Sequence, residues 1–317
     1  MSERLKADLA LGFCSLIWGA TFVVVKEALD QASVFAFLAV RFTLAAALVA
    51  VMFRASLRGP WLRGMNAATL RAGAVLGVFL FAGYVFQTAG LERTTPSKAA
   101  FITGLYVILV PLLLALFWRR RVNAWVWGGA VAAVVGLYYL TVPAGGGAGD
   151  SAFSGLLTGI NRGDLLVLGC TVAFALHIIY VGRYTPHHSV GALTFLQVAA
   201  TAVLAMVAVP LLSVAGVETP RFTWSWQMAF ALAVTAFGAT ALAFALQLWA
   251  QRHTSATHAA ILFSLEPVFA GVTSYLVLGE RLGARGLMGA ALILLGILLA
   301  ELKGPAPVAP DSSHPSK

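Results

Sequence analysis

Apolar residues run along this chain in blocks of about twenty, separated by short clusters of charge, proline and glycine. Stretches such as 45–53 and 107–118 hold no ionisable residue at all. At 1.5 Å rise per residue, a helix of about twenty residues crosses a hydrocarbon core about 30 Å thick. Strands of a membrane barrel would alternate apolar and polar positions, and the blocks do not. The pattern therefore predicts ten transmembrane helices, over 8–28, 33–53, 72–91, 99–118, 124–142, 164–182, 190–212, 226–250, 257–278 and 284–302.

Composition sharpens that reading. Of 317 residues, 60% are hydrophobic and 10% charged. A soluble domain carries about 25% charged residues, so a soluble enzyme, a disulfide scaffold and a disordered chain are excluded. The first block follows Arg4 and Lys6, as in a signal peptide. It runs too long for a signal core and reads as a retained span. Cys14 and Cys170 sit inside apolar blocks and read as packing residues.

The net charge of +9 lies between the apolar blocks, not in a nucleic-acid patch. With the N-terminus inside, thirteen Lys and Arg fall on the cytoplasmic side, among them Arg54, Arg58, Arg63 and the run at 119–121. Seven fall opposite, Lys26 and Arg93 among them. This bias predicts a multi-pass protein of the cell inner (plasma) membrane with both termini cytoplasmic.

The chain divides near its middle. Residues 1–142 form a first five-helix repeat and 163–303 a second. A glycine-rich external linker at 143–162 joins them, and a proline-rich cytoplasmic tail at 304–317 is expected to be disordered. A shift of 156 pairs Asp8 with Asp164, Cys14 with Cys170 and Arg41 with Gln197. A shift of 160 pairs Gln87 with Gln247, Thr94 with Thr254, and Lys98 with His258. Five spans per half is odd, so the second half enters the membrane inverted. The expected fold is all-α integral membrane, two inverted five-helix repeats, which is an architecture of alternating-access carriers.

Several motifs bear a family likeness. They are Trp18-Gly19-Ala20-Thr21-Phe22, Arg41 within AVRFTLAAAL, the segment 94–117 (TTPSKAAFITGLYVILVPLLLALF), and the segment 254–282 with Glu266-Pro267 and Gly279-Glu280. Together they resemble the EamA-type branch of the drug/metabolite transporter superfamily, over about residues 8 to 303. The resemblance implies ten helices in inverted repeats around a central cavity bordered by the first, third, fourth, sixth, eighth and ninth. It also implies transport of amino acids, other small metabolites or drugs, often outward and by exchange or ion coupling, without ATP or an organic cofactor. The Glu-Pro and Gly-Glu elements occur only in the second half, so the two repeats differ chemically.

Within the blocks, Arg41 is the most informative residue. An Arg at a helix centre costs roughly 2.5–3.5 kcal/mol on insertion scales, so it faces protein or water. Its planar fork suits a carboxylate, and it equally suits a structural lock on helix-end carbonyls. Glu266 precedes Pro267, which removes a backbone donor and frees the carbonyl of Phe263. Glu266 is thus a candidate for cation or proton coupling, or a structural partner of Arg41 or of the break itself. His177 is the second coupling candidate. Gln87 and Gln247 are candidates to read substrate polar groups from two sides, and Trp18, Tyr84 and Tyr106 to line the cavity. Trp249 is a further possible liner, and Lys98 and His258 are gate or anchor candidates. Glu280 is expected to stabilise an external turn.

The sequence holds no His-Glu-x-x-His, no phosphate loop and no Gly-x-Ser-x-Gly. The expectation is therefore a secondary transporter and not an enzyme, with no cofactor and no metal. Its partners would be a small-molecule substrate, the lipid bilayer and a proton or counter-substrate, with no nucleic acid. The best-fitting substrate is an amino acid or related compound, exported by alternating access. The alternatives are a drug or lipid-headgroup transporter, and beyond these a non-transporting receptor or scaffold, or a channel.

Overall fold

A computed structural model describes residues 2–53, 66–118, 124–141 and 160–302. The regular structure in this range is helical, and no strand forms among the described residues beyond an isolated bridge between Ala32 and Phe222. The order is α1 (Glu3–Ala28), α2 (Val34–Met52), α3 (Ala67–Leu91), α4 (Pro96–Gly104), α5 (Tyr106–Trp118), α6 (Ala124–Thr141), α7 (Arg162–Tyr184) and α8 (Val190–Val214). Then follow α9 (Trp226–Leu232), a π-helical segment (Ala233–Leu242), α10 (Ala243–Ala250), α11 (Ala256–Phe263), α12 (Glu266–Leu278) and α13 (Ala284–Leu302). Among the described residues, seven helical stretches are long and apolar enough to cross a membrane; three more, at Trp127–Leu140, Glu266–Leu278 and Ala284–Gly296, are shorter.

Local chemistry fixes where these helices start. Side-chain oxygens of Ser2, Asn66 and Thr95 accept from backbone N–H groups three residues on, and Thr95 is followed by Pro96 at the first helical position. Asn161 and Asp164 form a reciprocal capping box on α7. Gly279 ends α12 at φ 65°, a conformation that favours glycine.

Three of the apolar blocks read as single spans are interrupted. Residues 99–118 break at Leu105 between α4 and α5. The block 226–250 changes to π register over ten residues. The block 257–278 is two helices, parted at Ser264 and Leu265. Proline accounts for the last, because Pro267 cannot donate its backbone bond to Phe263. Much of the linker at 143–162, the tail at 304–317, and Arg54, Arg58, Arg63 and residues 119–121 lie outside the described residues.

The halves interlock. The first-half helix α1 packs on α12 and α10, α2 on α8 and the π segment, and α3 on both α7 and α8. The most extensive pairing joins α6 to α13 at one side of the bundle. Lipid supplies no hydrophobic drive between helices, so close backbone approach matters, and small residues permit it. A Cβ on Gly289 would stand 2.6 Å from the Gly136 carbonyl, and one on Gly136 would stand 2.7 Å from the Gly289 carbonyl. Large apolar side chains such as Leu9, Val131, Val203 and Leu211 are exposed around the outside, as a lipid-facing surface requires.

Gly289→Ala is accordingly expected to wedge α6 from α13 and cost about 1–3 kcal/mol. Thermal unfolding in detergent measures this against Gly271→Ala, where an added Cβ meets nothing within 4 Å. Equal midpoints for the two variants would refute the close-packed contact.

Candidate functional site

Arg41 projects from α2 and is 2% exposed. Its Nε donates to Thr240 Oγ1 at 3.1 Å, and its guanidinium lies 4.4 Å from the centre of the Tyr84 ring. Thr240 belongs to the π segment, and its hydroxyl donates to the Thr235 carbonyl at 2.8 Å. That leaves the Thr240 lone pairs facing Arg41. Trp18 of α1 meets the same segment, its Nε1–H donating to the Ala239 carbonyl at 2.8 Å.

Glu266 opens α12 and is 5% exposed. Tyr106, the first residue of α5, donates its hydroxyl to Glu266 Oε2 at 2.9 Å and stands 3.4 Å from the Phe263 carbonyl. Gly19 lets α1 lie directly on this break: a Cβ there would sit 2.6 Å from the Glu266 carbonyl. The pairing of Glu266 with Arg41, one of the readings open from the sequence, does not form. Each charge has a neutral partner instead, Tyr106 for one and Thr240 for the other, and among the described residues no acidic side chain pairs with Arg41.

His177 of α7 contacts Gln197 Oε1 through Nε2 at 2.8 Å and meets the Phe244 ring edge to face. Gln247 of α10 donates Nε2–H to Gln251 Oε1 at 2.9 Å. These groups border a cavity in which apolar and aromatic side chains surround a few convergent polar groups, the composition of a small-molecule site. Trp18, Arg41, Tyr84, Gln87, Tyr106, His177, Gln247 and Glu266 line it together.

Other lining residues carry no signal in the sequence. Phe22, Phe174, Phe244 and Phe263 give the cavity aromatic walls, yet phenylalanine is common in every apolar block. Gln197 could have been found, since it matches Arg41 at the shift of 156, and it proves to hold His177.

Trp249 packs on His253 and is not among the lining residues. Lys98 and His258 are not among them either; His258 bonds Asp8 at 2.9 Å, tying the start of α11 to the start of α1. Glu280 accepts from Ser97 Oγ at 2.9 Å and from Ser274, joining α4 to the end of α12. At the opposite end from Asp8, Lys26 donates to the Leu91 carbonyl at 2.7 Å, and Arg221 to the Asp30 carbonyl at 2.8 Å. Glu92 lies at that end. Partial burial, with the negative charge of Glu218 nearby, holds its carboxyl above the usual range. Among the described residues no three His, Cys, Asp or Glu side chains converge as metal ligands.

A bundle of apolar helices around an aromatic-walled cavity, lined by an Arg and a Glu that do not pair with each other, defines a multi-pass membrane protein with a polar internal site. The sequence profile of the EamA-like transporter family matches residues 5–142 and again 161–302. The chain belongs to that family, and it is a membrane transporter. It is 36% identical over 301 residues to an uncharacterized transporter of Archaeoglobus fulgidus, covering 95% of this chain and 87% of that one. It is 26% identical over 298 residues to the uncharacterized transporter YyaM of Bacillus subtilis, covering 92% of each. A solved crystal structure matches with a TM-score of 0.67 over 94% of this chain and 96% of that chain, at 18% identity, which is a likeness of fold.

Tyr106→Phe removes the donor to Glu266 and leaves a buried carboxyl group short of a partner. A loss of about 1–3 kcal/mol is expected, read as a lower midpoint of thermal unfolding in detergent. A midpoint equal to that of the parent would mean that Glu266 does not depend on Tyr106.

Proposed function

We propose that this transporter is a secondary carrier for amino acids or closely related zwitterions, moving them outward across the inner membrane by alternating access. One observation carries the reading: Arg41 and Glu266 face a single cavity without neutralising each other. A solute bearing both a carboxylate and an ammonium group complements such a site, the carboxylate on the guanidinium fork and the ammonium at Glu266. Gln87, Gln247 and His177 add hydrogen-bonding capacity, and Trp18, Tyr84 and Tyr106 give apolar surface for the body of the solute. The outward direction follows the family resemblance, and the cytoplasmic placement of both termini follows the Lys and Arg distribution.

Ten membrane helices in two inverted repeats form the frame of this carrier. Two matches of one family profile, at 5–142 and 161–302, support a duplication. The packing supports a two-fold relation between the halves: α1 on α12 has its counterpart in α7 on α4 and α5, and α2 on the π segment has its counterpart in α8 on α3. Glu266 and His177 are the groups available for proton coupling.

Purified protein in liposomes tests the carrier. Saturable uptake of a labelled amino acid, accelerated by unlabelled solute inside, is expected. Flux without saturation would replace the carrier by a channel. Binding without flux would replace it by a receptor. Flux confined to aromatic drugs or lipid headgroups would overturn the amino-acid assignment.

Two substitutions separate the charges. Arg41→Gln is expected to raise KM for amino acids by about 10- to 100-fold, the size of a lost charge-assisted hydrogen bond, while the matching decarboxylated amines compete as before. An unchanged KM would remove Arg41 from substrate binding. Glu266→Gln is expected to raise KM by a similar factor, because the ammonium loses its charged partner, and the exchange that remains is expected to lose acceleration by a pH gradient. An unchanged KM would remove Glu266 from ammonium binding, and a gradient response equal to the parent's would exclude it as the coupling group.

A further inference from the structure

The wall formed by α7 and α10 carries two amides whose orientation is fixed by chemistry. Gln251 Nε2 lies 3.2 Å from the backbone carbonyl of Ile178. A carbonyl only accepts, so the end of the Gln251 amide that meets it is the NH2. Its Oε1 therefore faces Gln247, 2.9 Å away, and requires a donor, which the Gln247 NH2 supplies. The Gln247 carbonyl is left pointing elsewhere. Turning either amide would set oxygen against oxygen or nitrogen against nitrogen.

Gln247 is 1% exposed, and both it and Ile178 line the cavity. Its Oε1 is buried and has no hydrogen-bond partner. Buried acceptors are nearly always paired, because the dry interior does not replace the water they lose. A side chain that lines the cavity, held by two successive hydrogen bonds with its acceptor unused, is preorganised for a donor brought by a bound solute. Gln251 is itself 2% exposed and does not line the cavity, so it acts by holding Gln247.

We propose that Gln247 is a specificity-determining residue whose Oε1 accepts a hydrogen bond from an N–H or O–H on the substrate's side chain. The inference rests on the reading of the cavity as an amino-acid site. Arg41 takes the carboxylate, Glu266 the ammonium, and Gln247 tests the third substituent. The carrier then selects amino acids with a donor-bearing side chain over apolar ones of the same shape. Nothing in the aromatic walls makes that distinction, because a hydroxyl adds little volume. A site built to hydrogen-bond a group discriminates strongly against an analogue that lacks it.

Two near-isosteric pairs supply the test: threonine with valine, and tyrosine with phenylalanine. Uptake of all four is measured in liposomes holding the parent, Gln247→Met or Gln251→Leu. The parent is expected to favour threonine and tyrosine by about tenfold or more in kcat/KM. Gln247→Met is expected to carry both members of each pair with a ratio near one. Gln251→Leu frees the Gln247 amide to turn and is expected to narrow the ratio too; it decides the matter if Gln247→Met fails to fold. A ratio near one in the parent, or the parent's ratio retained in the variants, overturns the role of Gln247 while leaving the carrier in place. An equal loss for both members of each pair in Gln247→Met overturns it as well, since that is the mark of ammonium binding. Absence of flux for all four overturns the amino-acid reading and the subsite with it.

Discussion

Backbone groups released by a broken helix find no water in a bilayer, so each interruption must be closed by a side chain from somewhere else in the protein. This constraint organises the structure. At the π segment, the Ala239 carbonyl is taken by Trp18. At the break before Glu266, the Leu262 carbonyl meets the Ser15 hydroxyl as well as the Leu265 N–H, while Tyr106 reaches Phe263 and Glu266. All of these side-chain donors come from first-half helices, and all of the breaks they close lie in the second half. Closing the breaks therefore locks the halves together. Trp18 and Tyr106 then line the cavity beside the breaks they close. The site and the repair of the backbone share the same residues.

The same economy explains how two opposite charges coexist without joining. A direct pair between Arg41 and Glu266 would place each charge on its natural counter-ion and fill the cavity with protein. Neutral partners do something different. The hydroxyl of Thr240 holds Arg41 and the hydroxyl of Tyr106 holds Glu266, and neither hydroxyl brings an opposing charge. The aromatic face of Tyr84 adds a favourable surface for the guanidinium without supplying a negative charge. On the proposed reading, a ligand with both charges would supply what the protein withholds.

The sequence made this site legible because charge and amide groups are conspicuous in apolar blocks. Arg41, Glu266, His177, Gln87 and Gln247 each violate the composition around them, and so each demands a place away from lipid. The phenylalanine and aliphatic walls were not legible, because Phe22, Phe174, Phe244 and Phe263 look like any other lipid-compatible residue until the helices are packed. The helix interruptions were legible only in part. Pro267 announces one by its missing donor, but the break at Leu105 precedes Val107 and has no such marker. The π segment has none either: its run of Ala, Thr, Gly and Val is compatible with an ordinary α-helix. Partner choice was likewise hidden. Which of several polar groups meets Glu266 depends on the relative rotation of α5 and α12, and no pattern along either helix encodes that.

The cavity lies between two sets of contacts at opposite ends of the bundle, and their chemistry relates the halves further. At one end, Asp8 of α1 meets His258 at the start of α11. At the other, Asp164 of α7 meets Thr94 just before α4. Asp8 and Asp164 correspond at the shift of 156, and each ties the start of the first long helix of one half to the entry of the broken span of the other half. Asp164 is fixed in the first turn of α7 by its capping box, where the helix dipole favours negative charge, and Asp8 sits in the second turn of α1. Each contact is thus a tether between halves placed well outside the cavity. In a carrier that exposes its site to one side at a time, loosening one tether while the other holds would tilt α1 or α7 against its broken partner. On the proposed alternating-access reading, that tilt would bend at the interruptions, at Leu105 in one broken span and at Ser264 and Leu265 in the other. The interruptions that build the site are in this way the joints on which it would open.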